Sequence, residues 1–326
     1  MRRAFLAILA VVTLLAVAAS LALGSYRGVG PCTLAKLLSG SPLSPVERWV
    51  LARRLLRTVA AALLGIGLGV SGAGLQYVLR NPLADPYLLG LASGAALGAL
   101  GAIALGLYDP YAVYSFAFLA ALLTFAMVLV VSILAGMSPL AMVVAGVTIS
   151  YTVSAINTVL VMMLEERVRG SFLWLFGSVA YALEDEVIRT APIVVVAVLW
   201  LFARARAINT LILGEEAAES TGVDVRRLRA EVVVAGALAT AGVVAYAGPV
   251  GFLGLAAPWL ARLAVGSDFR RLVIVTGATG PLLAIVADTV ARIALAPQEI
   301  PLTAVTSVIG TPVLVYLLIK RRMWRG

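Results

Sequence analysis

Apolar residues run almost without interruption along this chain, and its polar residues gather in short islands. Ten apolar segments stand out, approximately Ala4–Gly24, Thr58–Leu79, Tyr87–Leu107, Tyr111–Ala135, Leu140–Leu164, Val187–Ala203, Ala230–Gly248, Gly251–Gly266, Leu272–Ala296 and Leu302–Ile319. About 20 apolar residues cross a bilayer as a helix, and each segment is of that length or near it. Continuous rather than alternating hydrophobicity argues against a membrane barrel. The expectation is an all-α integral membrane protein of about ten transmembrane helices, forming a single polytopic domain over residues 1–326. Met1-Arg2-Arg3 and the run behind it could also open a signal peptide cleaved near Ala16-Val17-Ala18. The run is longer than a usual signal core, so a retained first span is the preferred reading.

The longest polar island is Gly214–Arg229, GEEAAESTGVDVRRLR. Its acids suit a helix N-terminus, Gly222 suits a helix stop, and Asp224 suits the cap of a second helix, so the pattern predicts two short helices. An ordinary solvated loop and a gripping surface for a soluble partner are both compatible with it. A second island, Ser25 to Glu47, is loop-like, punctuated by Gly28, Gly30, Pro31, Gly40, Pro42 and Pro45.

Composition sharpens the membrane reading: 62% of the 326 residues are hydrophobic and 13% charged, far from the balance of a soluble domain. Cys32 is the lone cysteine and histidine is absent, which excludes an intrachain disulfide, a Cys/His zinc site and any histidine-based triad. The net charge of +9 comes without a long basic run interleaved with aromatics, so nucleic acid is not an expected partner. With the N-terminus inside, the inner loops and tails hold 15 of the 25 Lys and Arg residues, the sign that the positive-inside rule requires. Both termini and the island at 214–229 then fall in the cytoplasm. The outer minority is concentrated in Arg48, Arg53, Arg54 and Arg57, a local exception that invites a functional explanation.

Several motifs carry structure rather than chemistry. Residues 67 to 72, GLGVSG, match G-x-G-x-x-G but lie inside an apolar helix with no strand before it, so they are no dinucleotide site. Gly65 with Gly69, and Gly90 with Gly94 and Gly98, line helical faces at four-residue spacing and predict close helix packing. Arg80-Asn81-Pro82-Leu83-Ala84-Asp85-Pro86 is a defined turn on the predicted inner side, or a surface for the same cytoplasmic partner. Ala247-Gly248-Pro249-Val250-Gly251-Phe252 should break the helices, either as an outer turn or at a depth where protein or a wet cavity covers its backbone. Gly170 to Gly177, with Ser171, Phe172, Trp174 and Phe176, reads as an interfacial or short re-entrant helix. Asp288 falls in mid-span, where an ionised group costs about 2.5–3.5 kcal/mol, and Arg292 one turn on is the first partner to consider. A structural ion pair and a proton relay are the two readings of that pair.

The order of motifs carries a family resemblance. Arg54-Leu-Leu-Arg57-Thr, Gly69-Val-Ser-Gly72-Ala-Gly-Leu-Gln76 and Asn81-Pro82-Leu-Ala-Asp-Pro-Tyr-Leu-Leu-Gly90 resemble the permease subunits of the iron-siderophore, haem and vitamin B12 importers of the ATP-binding-cassette (ABC) class, the FecCD/BtuC-like type II importers. Leu213 through Val223, Ala247 through Leu255, Pro258 with Arg262, Gly266-Ser-Asp268 with Arg270, Ala287-Asp288, and Glu299-Ile-Pro301 through Ile309-Gly310 agree in order and spacing. The similarity covers almost everything after residue 46.

The resemblance implies a homodimer around a translocation path in the cell membrane, two cytoplasmic ABC ATPase subunits, and an extracytoplasmic substrate-binding protein. It implies coupling to the ATPase through Gly214, Glu215, Glu216, Ala218, Glu219, Thr221 and Gly222. It gives Arg54, Arg57 and Arg292 to docking of the binding protein, which competes with the ion pair for Arg292. Gly69, Gly72, Gln76, Asn81, Pro82, Gly248, Pro249, Gly251 and Asp288 would serve packing or translocation. Where the family often has histidines, this chain has Trp259 and Phe269, so no imidazole can hold a metal on the path, and a cargo would cross as an intact chelate. No G-x-x-x-x-G-K-[ST] sequence occurs, so ATP and magnesium belong to the partner and no cofactor is expected in this chain. The expected function is import of an iron-siderophore, cobalamin or haem by alternating access. The alternative is a secondary transporter driven by an ion gradient through Asp288; an intramembrane enzyme is disfavoured by the missing histidine and paired acids.

Overall fold

A computed structural model describes residues 2–26, 28–168 and 172–319. Its helices in chain order are α1 (Arg2–Ala22), α2 (Pro31–Leu38), α3 (Pro45–Val78), α4 (Leu91–Ala104), α5 (Pro110–Leu134), α6 (Pro139–Met163), α7 (Glu165–Val168), α8 (Phe172–Leu175), α9 (Glu184–Ala203), α10 (Ala205–Thr210), α11 (Glu215–Ser220), α12 (Val225–Ala247), α13 (Leu253–Val265), α14 (Phe269–Ile293) and α15 (Leu302–Ile319). Among the described residues, seven helices are long and apolar enough to cross a membrane, and α4, α13 and the first part of α15 are shorter apolar helices at the remaining predicted spans. The chain is a multi-pass membrane protein.

The longest helix, α3, begins well before the predicted Thr58. Ser44 and Glu47 form a reciprocal cap: Ser44 Oγ accepts from the Glu47 amide at 3.2 Å, and Glu47 Oε2 accepts from the Ser44 amide at 2.8 Å. Pro45 at the first helical position fits the same start. At 34 residues α3 runs about 51 Å, well beyond the ~30 Å hydrocarbon core. Its second half is almost wholly buried, and α9, α12, α13 and α14 pack around it.

Close glycine crossings make this packing possible. A Cβ on Gly65 would lie 2.2 Å from the Gly280 carbonyl oxygen, and one on Gly280 would lie 2.1 Å from the Gly65 oxygen, so α3 and α14 touch backbone to backbone. Gly72 meets Gly254 of α13 and Gly98 meets Phe116 of α5 in the same way. The small-residue faces read from the sequence therefore occupy helix contacts.

Two polar connections are drawn into the protein. The segment after α3 turns inward: Asp85 caps a 3₁₀ turn at Pro86–Leu89, and the Tyr87 hydroxyl accepts from the Val250 amide at 2.8 Å. Tyr87, expected at the start of the third apolar segment, thus meets the break between α12 and α13 inside the protein. Within that break, Thr303 Oγ1 donates to the Pro249 carbonyl at 3.0 Å and Thr306 Oγ1 to the Gly251 carbonyl at 2.8 Å. The freed backbone is covered by protein, as an irregular segment at membrane depth requires. Gly248, at φ 65°, also presses against the Trp174 carbonyl, leaving no room for a side chain.

The island at 214–229 is corrected in part. Only α11 is a short helix there; Asp224 caps α12 itself, accepting from the Arg227 amide at 2.9 Å, so the arginines begin a 23-residue span. The second short helix is α10, just upstream. The loop-like region after α1 also contains α2, signalled by Gly30-Pro31. Of the stretch 170–177, Gly170 and Ser171 lie outside the described residues, while Trp174 is buried beneath the α12–α13 break.

Candidate functional site

Polar side chains concentrate at the two ends of the bundle. At the end bearing α2, Arg54 projects from α3 into the chain that leaves α1. Its Nη1 donates to the carbonyls of Leu21, Ala22 and Val29 at 2.8, 3.0 and 3.1 Å, and its Nη2 donates to Tyr26 at 3.0 Å. The carbonyls at the end of α1, which have no helical partner of their own, are satisfied by one guanidinium.

One turn along α3, Arg57 reaches two carboxylates. Its Nε donates to Asp288 Oδ1 at 2.8 Å, and both terminal nitrogens grip Glu299 at 2.8 Å each. Arg292 Nε pairs with Asp288 Oδ2 at 3.1 Å, and its Nη2 donates to Ser20 Oγ at 2.7 Å. Two cations and two anions thus close into a neutral quartet spanning α3, α14 and the segment before α15. The ion pair expected for Arg292 forms, and Arg57 is the further partner that Asp288 shares.

The quartet changes the picture for docking. Arg54 and Arg292 are only 6% and 3% exposed, with their nitrogens engaged by the fold, so neither projects from the surface as a free cation. They nevertheless edge a recess of about 240 Å³, together with Arg53, Arg57, Tyr26 and Trp49.

At the opposite end, three separated sequence motifs meet. Arg262 of α13 donates to Gln76 Oε1 at 3.2 Å and lies over the rings of Tyr77 and Trp259, at 5.4 and 5.0 Å from their centres. Trp259 Nε1 donates to the Pro82 carbonyl at 3.0 Å, which fastens the turn after α3, and Asn81 Oδ1 accepts from the Leu83 amide at 2.9 Å within that turn. Trp259 therefore holds the turn after α3 in place through its indole nitrogen. Phe269, fully buried, packs edge-on against Tyr77 at 4.9 Å.

The same end carries α10 and α11. Of the coupling residues read from the sequence, Glu216, Glu219, Thr221 and Gly222 are exposed, Ala218 is buried, and Gly214 and Glu215 are partly buried. Glu215 Oε1 accepts from Arg229 Nη2 at 2.7 Å. Arg229, 4% exposed, also donates to the carbonyls of Val78 at 3.2 Å and Met137 at 2.7 Å. One buried side chain ties α11 to the end of α3 and to the turn between α5 and α6. No sequence spacing announces it, because Val78 and Met137 are distant in the chain.

The chain matches the FecCD transport family model over residues 11–320. It belongs to the FecCD transport family. This FecCD permease is 38% identical to the cobalamin import system permease protein of Halobacterium salinarum over 83% of its length and 73% of the relative's. It is 34% identical to the Fe(3+) dicitrate transport system permease protein of Escherichia coli K12, over 87% of each chain. A solved inward-facing conformation of a putative metal-chelate type ABC transporter superposes with a TM-score of 0.85 at 29% identity, covering 98% of this chain and 99% of that one. The FecCD permease is thus a transport protein of the ABC permease class and not an enzyme.

Proposed function

We propose that this FecCD permease is the membrane subunit of an ATP-driven importer that carries a metal chelate into the cytoplasm by alternating access. Relatives named for cobalamin and for ferric dicitrate support a chelate as the cargo class, and an iron-siderophore is the cargo we favour. Two copies enclose the path, two cytoplasmic ATPase subunits seat α10 and α11, and a substrate-binding protein meets the recess at the α2 end. Both termini then lie in the cytoplasm of a cell that carries the complex in its inner or plasma membrane.

The observation that carries the reading is the Arg229 junction. A polar helix with exposed acids, bound through one buried cation to two membrane helices, has the connectivity needed to pass motion from a soluble motor into the bundle. The α6 surface supports a second copy: Tyr151, Thr152, Ser154 and Thr158 are exposed on one side of a spanning helix, where a wet path or a neighbouring protein suits them better than lipid. Asp288 does not favour the gradient-driven alternative, since two guanidinium groups already hold it.

Reconstitution tests the proposal. Vesicles carrying the permease with its ATPase should accumulate ferric siderophore only with ATP and the binding protein present. Uptake by the permease alone that followed a proton or sodium gradient would overturn it.

A further inference from the structure

A groove on the side of the bundle plays no part in the junctions at either end. It lies between α9 and α12, encloses about 710 Å³, and is lined by Pro192, Val196, Trp200, Ala230, Glu231 and Val234 among others. Its walls are open on the side of the bundle: Val196 is 64% exposed, Trp200 46% and Leu238 37%. Pro192, inside α9, cannot donate a backbone hydrogen bond, and it lines the groove just past the point where Thr190 of α9 bonds the Gly242 carbonyl of α12 at 3.3 Å. From Pro192 to Trp200 and from Ala230 to Leu238 the groove runs about 12 Å at 1.5 Å per residue. That is close to the depth of one leaflet, half of the ~30 Å core.

The two ends of the groove differ. Its far end is apolar, whereas at the α11 end Arg204 grips Glu231 through two 2.7 Å hydrogen bonds and Arg227 Nε donates to the same carboxylate at 3.0 Å. Two guanidinium groups on one carboxylate leave a positive charge uncompensated. Arg206 and Arg226, both exposed, add to it. Trp200 lies beneath Arg204 at 5.6 Å from the ring centre, an aromatic and basic pairing suited to the depth of lipid headgroups. Glu231 and Trp200 line the groove as well, so the apolar slot and its cationic mouth are continuous.

We propose that this groove seats an anionic phospholipid, with an acyl chain between α9 and α12 and the phosphate against Arg204 and Arg227. The apolar slot suits a hydrocarbon chain, and the charged mouth selects an anionic headgroup over a zwitterionic one. This assignment depends on the membrane placement of the chain and not on its cargo or its motor.

Tryptophan quenching tests it. The permease and its Trp200→Phe variant are placed in phosphatidylcholine vesicles containing either phosphatidylglycerol or phosphatidylcholine with dibrominated acyl chains, and the difference signal isolates Trp200. Dibrominated phosphatidylglycerol should quench Trp200 at a several-fold lower mole fraction than dibrominated phosphatidylcholine. Arg227→Gln, at a side chain 75% exposed, should shrink that preference about fivefold, and adding Arg204→Gln should remove it. Val234→Phe fills the slot without touching the arginines and should weaken quenching by both lipids. Equal quenching by the two lipids in the unmodified protein would overturn the proposal, as would a preference that survives both arginine substitutions. Loss of the preference in millimolar inorganic phosphate would show an anion site without a lipid seat. A Trp200 silent to both lipids would show the groove covered by protein, including a second copy.

Discussion

Arg229 and Glu215 form a 2.7 Å ion pair across the boundary between the polar helix α11 and the buried start of α12. Because the same guanidinium holds the carbonyls of Val78 and Met137, displacement of α11 has a direct route into α3 and the α5–α6 turn. Exposed Glu216 and Glu219 have no such anchor to the membrane helices. Replacing Glu216 and Glu219 by alanine should therefore weaken copurification of the ATPase while insertion stays intact. Arg229→Gln should instead preserve association but lower the ratio of transport to ATP hydrolysis about tenfold, a loss within the usual range of coupling energies. Uptake and hydrolysis measured in the same vesicles check this, and a parallel fall in both would remove Arg229 from the coupling route.

The quartet at the other end makes a different prediction. Removing Arg57 leaves Asp288 and Glu299 short of their principal cation inside the fold, which should cost about 3–5 kcal/mol. Arg57→Gln combined with Glu299→Gln keeps hydrogen-bonding shapes and leaves Asp288 paired with Arg292, so it strands no charge and should recover most of that loss. Thermal unfolding in detergent measures both. Equal destabilisation by the single and double variants would show that shape, not charge balance, governs this cluster.

Much of the architecture is readable from the chain because a bilayer demands long apolar runs, and those runs mark the seven helices long enough to cross and the three shorter apolar ones among the described residues. The Asp288–Arg292 pair is readable too, since four residues on a helix place side chains on one face. Arg57 with Glu299 is not, for 242 positions separate them and only the packing of α3 on α14 unites them. The start of α3 was encoded in Ser44-Pro45-x-Glu47, a local signal hidden in a segment whose prolines and glycines suggest a loop. The inward course of Pro86–Leu89 depends on Tyr87 meeting Val250, a tertiary contact that no local pattern announces. The groove between α9 and α12 likewise needs the spacing of those helices, which sequence periodicity does not contain.

Backbone contact at the α3–α14 crossing sets a steric limit. Gly65→Ala or Gly280→Ala would drive a methyl into a carbonyl that cannot rotate away, forcing the helices apart. A loss of about 1–3 kcal/mol is expected for either, the usual cost of overpacking. Gly101→Ala, where a Cβ would meet nothing within 4 Å, should be neutral or slightly stabilising because alanine favours a helix. Unfolding midpoints for the three variants in one detergent check the ranking, and a tolerated Gly65→Ala would mean that this crossing is looser than its backbone contacts imply.

Asp85 supplies a pH dependence whose sign is fixed by its surroundings. It caps the inward turn, accepting from the Tyr87 amide at 2.9 Å, and burial pushes its carboxyl from the ordinary 3.8 up to about 6 despite that hydrogen bond. The folded protein consequently binds this proton more tightly than the unfolded chain does. Above about pH 6 the fold carries a carboxylate that its setting disfavours, and protonation relieves this as the pH falls from 6 towards 4. Asp85→Asn keeps an oxygen for the Tyr87 amide but cannot ionise. The variant should be the more stable protein at pH 7, and its advantage should shrink steadily down to pH 4. Unfolding midpoints of both proteins across that range test the sign, because only the difference between them isolates Asp85 from the other titrating groups. An advantage that stayed constant with pH would show that Asp85 has an ordinary carboxyl, whatever its place in the turn.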